Sequence, residues 1–318
     1  MSNLKNLGST DIKIHPLNLG GNVFGWTADK DQSFAVLDAY TQAGGNFIDT
    51  ADAYSRWVPG HTGGESETII GEWLAARRNR DSIVIATKGG RHPDFTGLKP
   101  ETIRKAADES LRRLGTDYID LYYTHFDDES VPVEEIVTTL DGLVKAGKVR
   151  AVAASNISPE RLAASLAFAS QHGLTRYVAL QPHYNLMSRD TYEGELRAVA
   201  EEYGLGILPY YGLGGGFLTG KYRPGATSVD SGRAGGALDP GKYLQDERGP
   251  KVLAALDEVA QAHGAEMATV ALAWLAAQPT VTGPIASART TAQLPALLAA
   301  TDLKLTDNDL TKLDEASA

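Results

Sequence analysis

The sequence predicts an α/β fold, a (β/α)8 barrel of the TIM type carrying an N-terminal hairpin and a long loop after its seventh strand. Three observations carry this reading. Short apolar or β-branched runs alternate with segments of helical period eight times along the 318 residues, the order expected of a parallel sheet wrapped by helices. Several of those runs stop at a polar or ionisable residue followed by turn-forming sequence, as strands do when they deliver side chains to one rim. The first strand is followed by Gly20-Gly21-Asn22-Val23-Phe24-Gly25, which lacks the G-x-G-x-x-G spacing and has no helix directly behind it. That counts against the runner-up, an open doubly wound sheet.

Taken in order, Leu4 to Ile14 reads as the hairpin, turning at Gly8-Ser9-Thr10-Asp11. Leu17 to Leu19 is the first barrel strand and Phe34 to Gln42 the first helix. Asn46 to Asp49 is the second strand, and Glu65 to Arg78 is helical with Ile69, Ile70 and Trp73 on one face. Ile83 to Thr87 runs up to Lys88. Pro100 to Leu114 begins with a helix-starting proline and stops at Gly115. Tyr118 to Tyr123 leads to His125, and Val133 to Lys145 is the next helix. Val149 to Ala154 ends at Ser155-Asn156, before a helix over Pro159 to His172. Val178 to Leu180 ends at Gln181, before a helix over Arg189 to Tyr203. Gly206 to Pro209 ends at Tyr210, and there the rhythm breaks at Gly212-Leu213-Gly214-Gly215-Gly216 and over Arg223 to Gly249. A loop this long inside a barrel points to function. Helices resume at Lys251 to His263 and Met267 to Ala277, then a last strand at Val281 to Ile285, a helix at Thr291 to Ala299 and a closing helix at Asp307 to Ala316. No linker divides the chain, so one domain is expected over residues 1–318.

Composition narrows the function. A net charge of −10 with scattered basic residues disfavours nucleic acid, whose backbone needs clustered Lys and Arg. The absence of cysteine removes disulfides, thiol nucleophiles and Cys-ligated metals; no metal is expected. No run approaches the roughly 20 apolar residues of a membrane span, and the N-terminus has no apolar signal core, so a cytoplasmic protein is expected, as a monomer or homo-oligomer.

The rim residues suggest the chemistry. Asp49 and Tyr54 follow the second strand, Lys88 ends the third and His125 follows the fourth. A tyrosine's ordinary pKa of about 10 is too high for easy proton exchange near neutrality, and a neighbouring ammonium favours its phenolate. Lys88 supplies that charge and Asp49 holds the lysine protonated. Tyr54 then protonates a developing alkoxide while His125 donates a hydrogen bond to a carbonyl oxygen.

These residues, with the blocks F-I-D-T-A-D-A-Y, I-A-T-K-G, Y-I-D-L-Y-Y-T-H, A-A-S-N-I and G-L-G-G-G-F-L-T-G-K-Y, make the chain resemble an aldo-keto reductase over essentially its whole length. It is more similar to the bacterial and potassium-channel β-subunit-like branch than to the mammalian aldose reductases. The resemblance implies the tetrad Asp49, Tyr54, Lys88 and His125 and an extended nicotinamide dinucleotide, NADPH in preference to NADH. It implies that Gly21 and Asn22 face the cofactor, that Ser155, Asn156 and Gln181 hydrogen-bond the carboxamide, and that Tyr210 stacks on the nicotinamide. Leu213, Gly214 and Gly216 would bring N–H groups to the pyrophosphate, with Lys221 adding charge. Ser287, Arg289 and Gln293 would hold the adenosine end, where Leu297 stands in place of a common Asn, and Arg233 would close over the 2′-phosphate. The expected substrate is a small carbonyl compound, aromatic or sugar-like, met by Phe24, Trp26, Trp57, Phe126 and Tyr211. Asn22, Arg56, Arg91 and His92 could add polar contacts. The same residues suit the reverse oxidation of an alcohol, and the fold also suits a nicotinamide-binding regulatory subunit.

Overall fold

The computed structural model describes residues 4–223 and 239–318. A hairpin of β1 (Lys5–Asn6) and β2 (Lys13–Ile14) comes first. The strands β3 (Asn18–Gly20), β4 (Phe47–Asp49) and β5 (Val84–Gly89) follow. They alternate with helices α1 (Lys30–Gln42), α2 (Glu65–Arg77) and, after a small hairpin of β6 (Arg91–His92) and β7 (Phe95–Thr96), α3 (Pro100–Leu114). Next come β8 (Ile119–Thr124), α4 (Val133–Lys145), β9 (Val149–Ser155), α5 (Pro159–His172), β10 (Tyr177–Gln181), α6 (Glu195–Tyr203) and β11 (Gly206–Ile207). The chain closes with α7 (Arg248–His263), α8 (Met267–Ala277), β12 (Ile285–Ala286), α9 (Leu294–Leu298) and α10 (Asp307–Ser317).

Eight parallel strands pair in the order β11-β10-β9-β8-β5-β4-β3-β12. The two ends of that sheet meet through a parallel bridge between Ile207 and Val281 and a bond from Ile285 N–H to the Pro209 carbonyl at 2.9 Å, so the sheet curls into the expected barrel. Period-two alternation sorts the side chains. Phe47, Val84, Ala86, Leu121, Tyr123, Ala151, Ala153, Ala179 and Leu208 turn inward, forming one apolar cluster with Leu7, Ile12 and Ile14 of the hairpin. Ile48, Ile85, Tyr122, Val152 and Leu180 turn outward against the helices. The hairpin therefore stoppers the end of the barrel opposite the strands' carboxyl ends.

Where elements differ from expectation, a local cause is visible. Helix α1 begins four residues before Phe34 because Asp29 and Gln32 form a reciprocal capping box. Helix α6 starts only at Glu195, since Gly194 sits at φ 100°, outside helical space. The eighth strand shrinks to two residues behind Pro284, which has no N–H for a ladder. The helix expected over Thr291 to Ala299 splits into a 3₁₀ turn, α9 with Pro295 in its first turn, and a second 3₁₀ turn. Among the described residues no helix is long and apolar enough to cross a membrane, and no group of His, Asp and Glu could hold a metal.

Because Leu7 is fully buried in the stopper, Leu7→Ala should cost about 2–5 kcal/mol of stability in urea unfolding, with kcat little changed. A loss below about 1 kcal/mol would mean that the hairpin merely rests on the barrel.

Candidate active site

Continuing the inward alternation past Phe47 and Val84–Ala86 brings Asp49 and Lys88 into the barrel interior, 2% and 1% exposed. The Lys88 ammonium donates to Asp49 Oδ2 at 2.6 Å, to the Thr50 carbonyl at 2.8 Å and to Tyr54 Oη at 2.9 Å. Three donors thus meet three acceptors, the geometry of a protonated lysine. Burial pushes the Asp49 carboxyl up and the Lys88 ammonium down, and in each case their mutual attraction opposes the shift. Gly89 has to be glycine, since a Cβ there would lie 1.8 Å from Tyr122 Oη. Tyr54 lies partly exposed at the rim, its ring edge-on to His125 at 6.1 Å. Burial, then the charges of Lys88, Arg91 and Arg56, hold the His125 imidazole well below its ordinary pKa, so it is neutral at pH 7. The structure brings all four rim residues together.

The surrounding polar groups bind one another. Gln181 Nε2 donates to Asp49 Oδ1 at 2.8 Å, and Ser155 Oγ to the Gln181 carbonyl at 2.8 Å. Asn156 Nδ2 donates to the His125 carbonyl and to Ser155 Oγ, both at 2.9 Å, and its Oδ1 accepts from Tyr210 Oη at 2.8 Å. As carboxamide contacts, Asn156 and Gln181 would have to exchange these bonds. Ser55, Asn156 and Tyr211 hold φ of 69°, 49° and 58°, a region that side chains other than glycine seldom adopt, and each adjoins a rim or groove residue.

A groove runs from Asp49 and Tyr54 past Tyr210, Tyr211 and Leu213 to Ser287, Arg289, Gln293 and Leu297, with Asn22, Gly216 and Lys221 also in its walls. Its residues can hold a dinucleotide. Tyr210, stacked on His183 with ring centroids 5.3 Å apart, offers an aromatic wall. Lys221 and Arg289 supply two cations. A Cβ on Gly216 would lie 3.2 Å from Lys221 Nζ, so the missing side chain lets the ammonium approach the loop backbone. Some expectations do not hold. Gly214 is buried and its N–H donates to the Tyr211 carbonyl, while Gly216 N–H donates to Leu213, so neither faces the groove as a free donor. Gly21 is buried, bound to the Asp49 carbonyl through its N–H and to Ser66 through its carbonyl; Gly20 lines the groove instead. Ser287 Oγ donates to Asn22 Oδ1, and Gln293 Oε1 accepts from Arg289 N–H at 2.7 Å. Leu297 lies where an apolar wall, not an amide, meets the groove's far end. Arg233 lies outside the described residues. Sequence reading missed Thr27, Thr219, Glu266 and Ala268, also in the groove wall; only Glu266, preceding the apolar run of α8, carried any signal.

At the mouth, Trp26 packs edge-on to Trp57 at 5.4 Å, Trp57 reaches the Tyr54 ring at 6.3 Å, and Phe126 neighbours His125 at 5.3 Å. Among the described residues, Trp57 and Phe126 are the large apolar side chains left exposed, at 47% and 41%. Two expected contacts are corrected. Phe24 is fully buried in the core between sheet and helices, because the tight turn at Gly21–Gly25 folds its ring under the loop. His92 is buried and stacked on Phe95 at 4.1 Å, away from the mouth.

The aldo/keto reductase family model matches residues 16–318. The chain belongs to the aldo/keto reductase family. It is 34% identical to a norsolorinic acid reductase of Emericella nidulans, over 96% of this chain and 78% of that protein. It is 32% identical to a putative aryl-alcohol dehydrogenase of Saccharomyces cerevisiae (95% and 83%) and 31% to protein Tas of Escherichia coli (96% and 94%). This aldo/keto reductase is an NAD(P)H-dependent oxidoreductase.

Asp52, three residues past Asp49 in the motif, is a further buried acid of this reductase whose position its sequence did not disclose. Its Oδ2 accepts from the N–H groups of Gly90, Arg91 and His92 at 3.0, 3.4 and 3.3 Å, tying the loop below Tyr54 to the loop above Lys88. Burial, then repulsion from Glu67, pushes its carboxyl up to about 7. Since the folded value lies above the unfolded one, protonated Asp52 favours the fold at low pH, and that contribution is lost as pH rises from about 4 through about 7. Between pH 5 and 8 the wild type should lose roughly 2–3 kcal/mol from this source. Asp52→Asn, neutral throughout, should not; unfolding profiles that stay parallel across that window would exclude the shift.

Proposed function

We propose that the protein reduces an aldehyde or ketone to its alcohol with NADPH, Tyr54 supplying the proton. The observation that carries this reading is the contact from Lys88 Nζ to Tyr54 Oη at 2.9 Å inside a fully partnered ammonium. A hydroxyl that accepts from an ammonium keeps its own proton to donate, and the charge left on its oxygen meets a fixed cation. His125, as a neutral imidazole beside Tyr54, donates to the same substrate oxygen and orients the carbonyl. A reduced nicotinamide, when bound in the groove, supplies the hydride. Trp26, Trp57 and Phe126 cover the reacting carbonyl from water, and their rings suit an aromatic substrate; a relative named for aryl alcohols accords with that choice. The same relative's name favours a second reading, oxidation of an alcohol, in which Tyr54 takes the proton back. The ion pair argues for chemistry over a purely regulatory role, since a buried charge pair is a poor source of stability.

NADPH is favoured because Arg289 stands at the end of the groove assigned to the adenosine and a charge-assisted contact to a 2′-phosphate is roughly twice as strong as a neutral one, whereas Lys221, beside the expected pyrophosphate, would serve either cofactor.

Tyr54→Phe should lower kcat by about 10²–10⁴ while NADPH binding, read by fluorescence, is retained; turnover near the wild-type rate would end the assignment. Arg289→Ala should weaken NADPH by about ten- to a hundred-fold and leave NADH nearly unchanged. Equal weakening of both would show that Arg289 serves the adenine or the helix start, and the NADPH assignment would lose its support.

A further inference from the structure

The mouth carries more positive charge than carbonyl reduction requires. Arg56 follows Ser55, whose Oγ donates to the Phe24 carbonyl at 2.8 Å, and Arg56 Nη1 reaches the Arg91 carbonyl at 3.4 Å. The Arg91 guanidinium lies 4.5 Å over the ring of Phe126, the exposed aromatic beside His125. Both arginines thus stand on backbone that the site itself holds in place, Arg91 through its N–H to Asp52.

Neither guanidinium has a carboxylate within ion-pair distance among the described residues. Most of the acids nearby are engaged elsewhere. Asp52 faces the backbone of Gly90 to His92, Asp127 pairs with Arg161, and Asp128 accepts from Leu98 and Ser130, while the exposed Asp94 has its carboxylate 3.9 Å from the His92 ring and pairs with neither arginine. Nor do these arginines belong to the cofactor groove, whose walls hold Lys221 and Arg289 but not Arg56 or Arg91. Burial chiefly keeps the His125 imidazole neutral, with the charges of Lys88, Arg91 and Arg56 adding to it, and the Arg91 guanidinium reaches the ring of Phe126, which adjoins His125. Two guanidiniums at the mouth, one over Phe126 and the other on the Arg91 carbonyl, in a chain of net charge −10, form no ion pair with a carboxylate among the described residues, and guanidinium is shaped to take a carboxylate through paired N–H groups.

We propose that Arg56 and Arg91 form an anion subsite at the mouth, and that the natural substrate is an aromatic aldehyde or ketone carrying a carboxylate, its ring held between Trp57 and Phe126. The aromatic carbonyl part rests on the function proposed above; the subsite binds a carboxylate whether or not hydride is transferred.

The test uses two pairs of probes on the full-length protein. Benzoate and benzamide, matched in shape and differing in charge, are titrated against tryptophan fluorescence, which Trp26 and Trp57 report. 4-Carboxybenzaldehyde and its methyl ester are compared in kcat/KM with NADPH. The wild type should bind benzoate at least ten-fold tighter than benzamide and favour the acid over the ester by a similar factor, mostly through KM, with the preference falling as salt is raised. In Arg56→Gln/Arg91→Gln the acid-to-ester and benzoate-to-benzamide ratios should both fall toward one, and the double Lys variant should recover part of each. Equal binding of benzoate and benzamide by the wild type, or a preference that survives the double Gln substitution, would overturn the subsite. Selective benzoate binding with neither aldehyde reduced would support the subsite and instead remove the carbonyl-reduction reading.

Discussion

A single ammonium in the interior of the barrel sets the terms for everything around it. Lys88 is fully enclosed, and an enclosed charge persists only if its partners are placed well enough to offset the loss of water. Those partners come from separate pieces of chain: Asp49 from the end of β4, the Thr50 carbonyl behind it, Tyr54 from the loop, and Gln181 from β10, which steadies the far oxygen of Asp49. A one-residue slip of β5 would turn Lys88 toward the helices and strand Asp49. The register of the sheet and the arrangement of the reacting groups are therefore one constraint.

The fold was legible because barrel strands are marked by the residues at their ends. Asp49, Lys88 and His125 each close an apolar run, and alternation from a buried neighbour is enough to aim the first two inward. Tyr54 was legible by company. The contacts that escaped join residues far apart in the chain. Nothing in V-A-L-Q tells that Gln181 will spend its amide nitrogen on a carboxylate 132 positions earlier. Phe24, an aromatic in a glycine-rich turn, reads as a loop residue facing substrate, yet the turn closes on itself and buries the ring. Gly214 and Gly216 read as phosphate-facing donors, but three successive left-handed glycines fold the loop so that those two N–H groups bond inside it. Nothing in the sequence marks Asp52 as buried, yet the backbone of Gly90 to His92 closes over its carboxylate.

Of the five non-glycine residues with positive φ among the described ones, three stand close to the site, and Arg78 and Thr280 stand elsewhere. Ser55, Asn156 and Tyr211 stand in left-handed conformations beside Tyr54, the His125 carbonyl and the aromatic wall. Each is held there by bonds from a neighbouring element: Ser55 to Phe24, Asn156 to Tyr210, the Tyr211 carbonyl to Asn185. Strain of this kind persists where the surroundings over-determine it, and here the surroundings are the residues that shape the mouth and groove.

The ring of strands is not equally strong all round. Between β8 and β9 the ladder is long, whereas β11 and β12 are two residues each and meet through one bridge and a few bonds around Ile207 and Pro209. Mechanically the barrel is a strap whose two ends are fastened by a small clasp. The groove straddles that clasp, with Tyr210, Leu213 and Lys221 hanging from one end of the strap and Ser287 and Arg289 from the other. A long ligand laid along the groove would grip both ends at once, so filling the groove would also fasten the weakest seam of the fold, and binding energy would become resistance to unfolding.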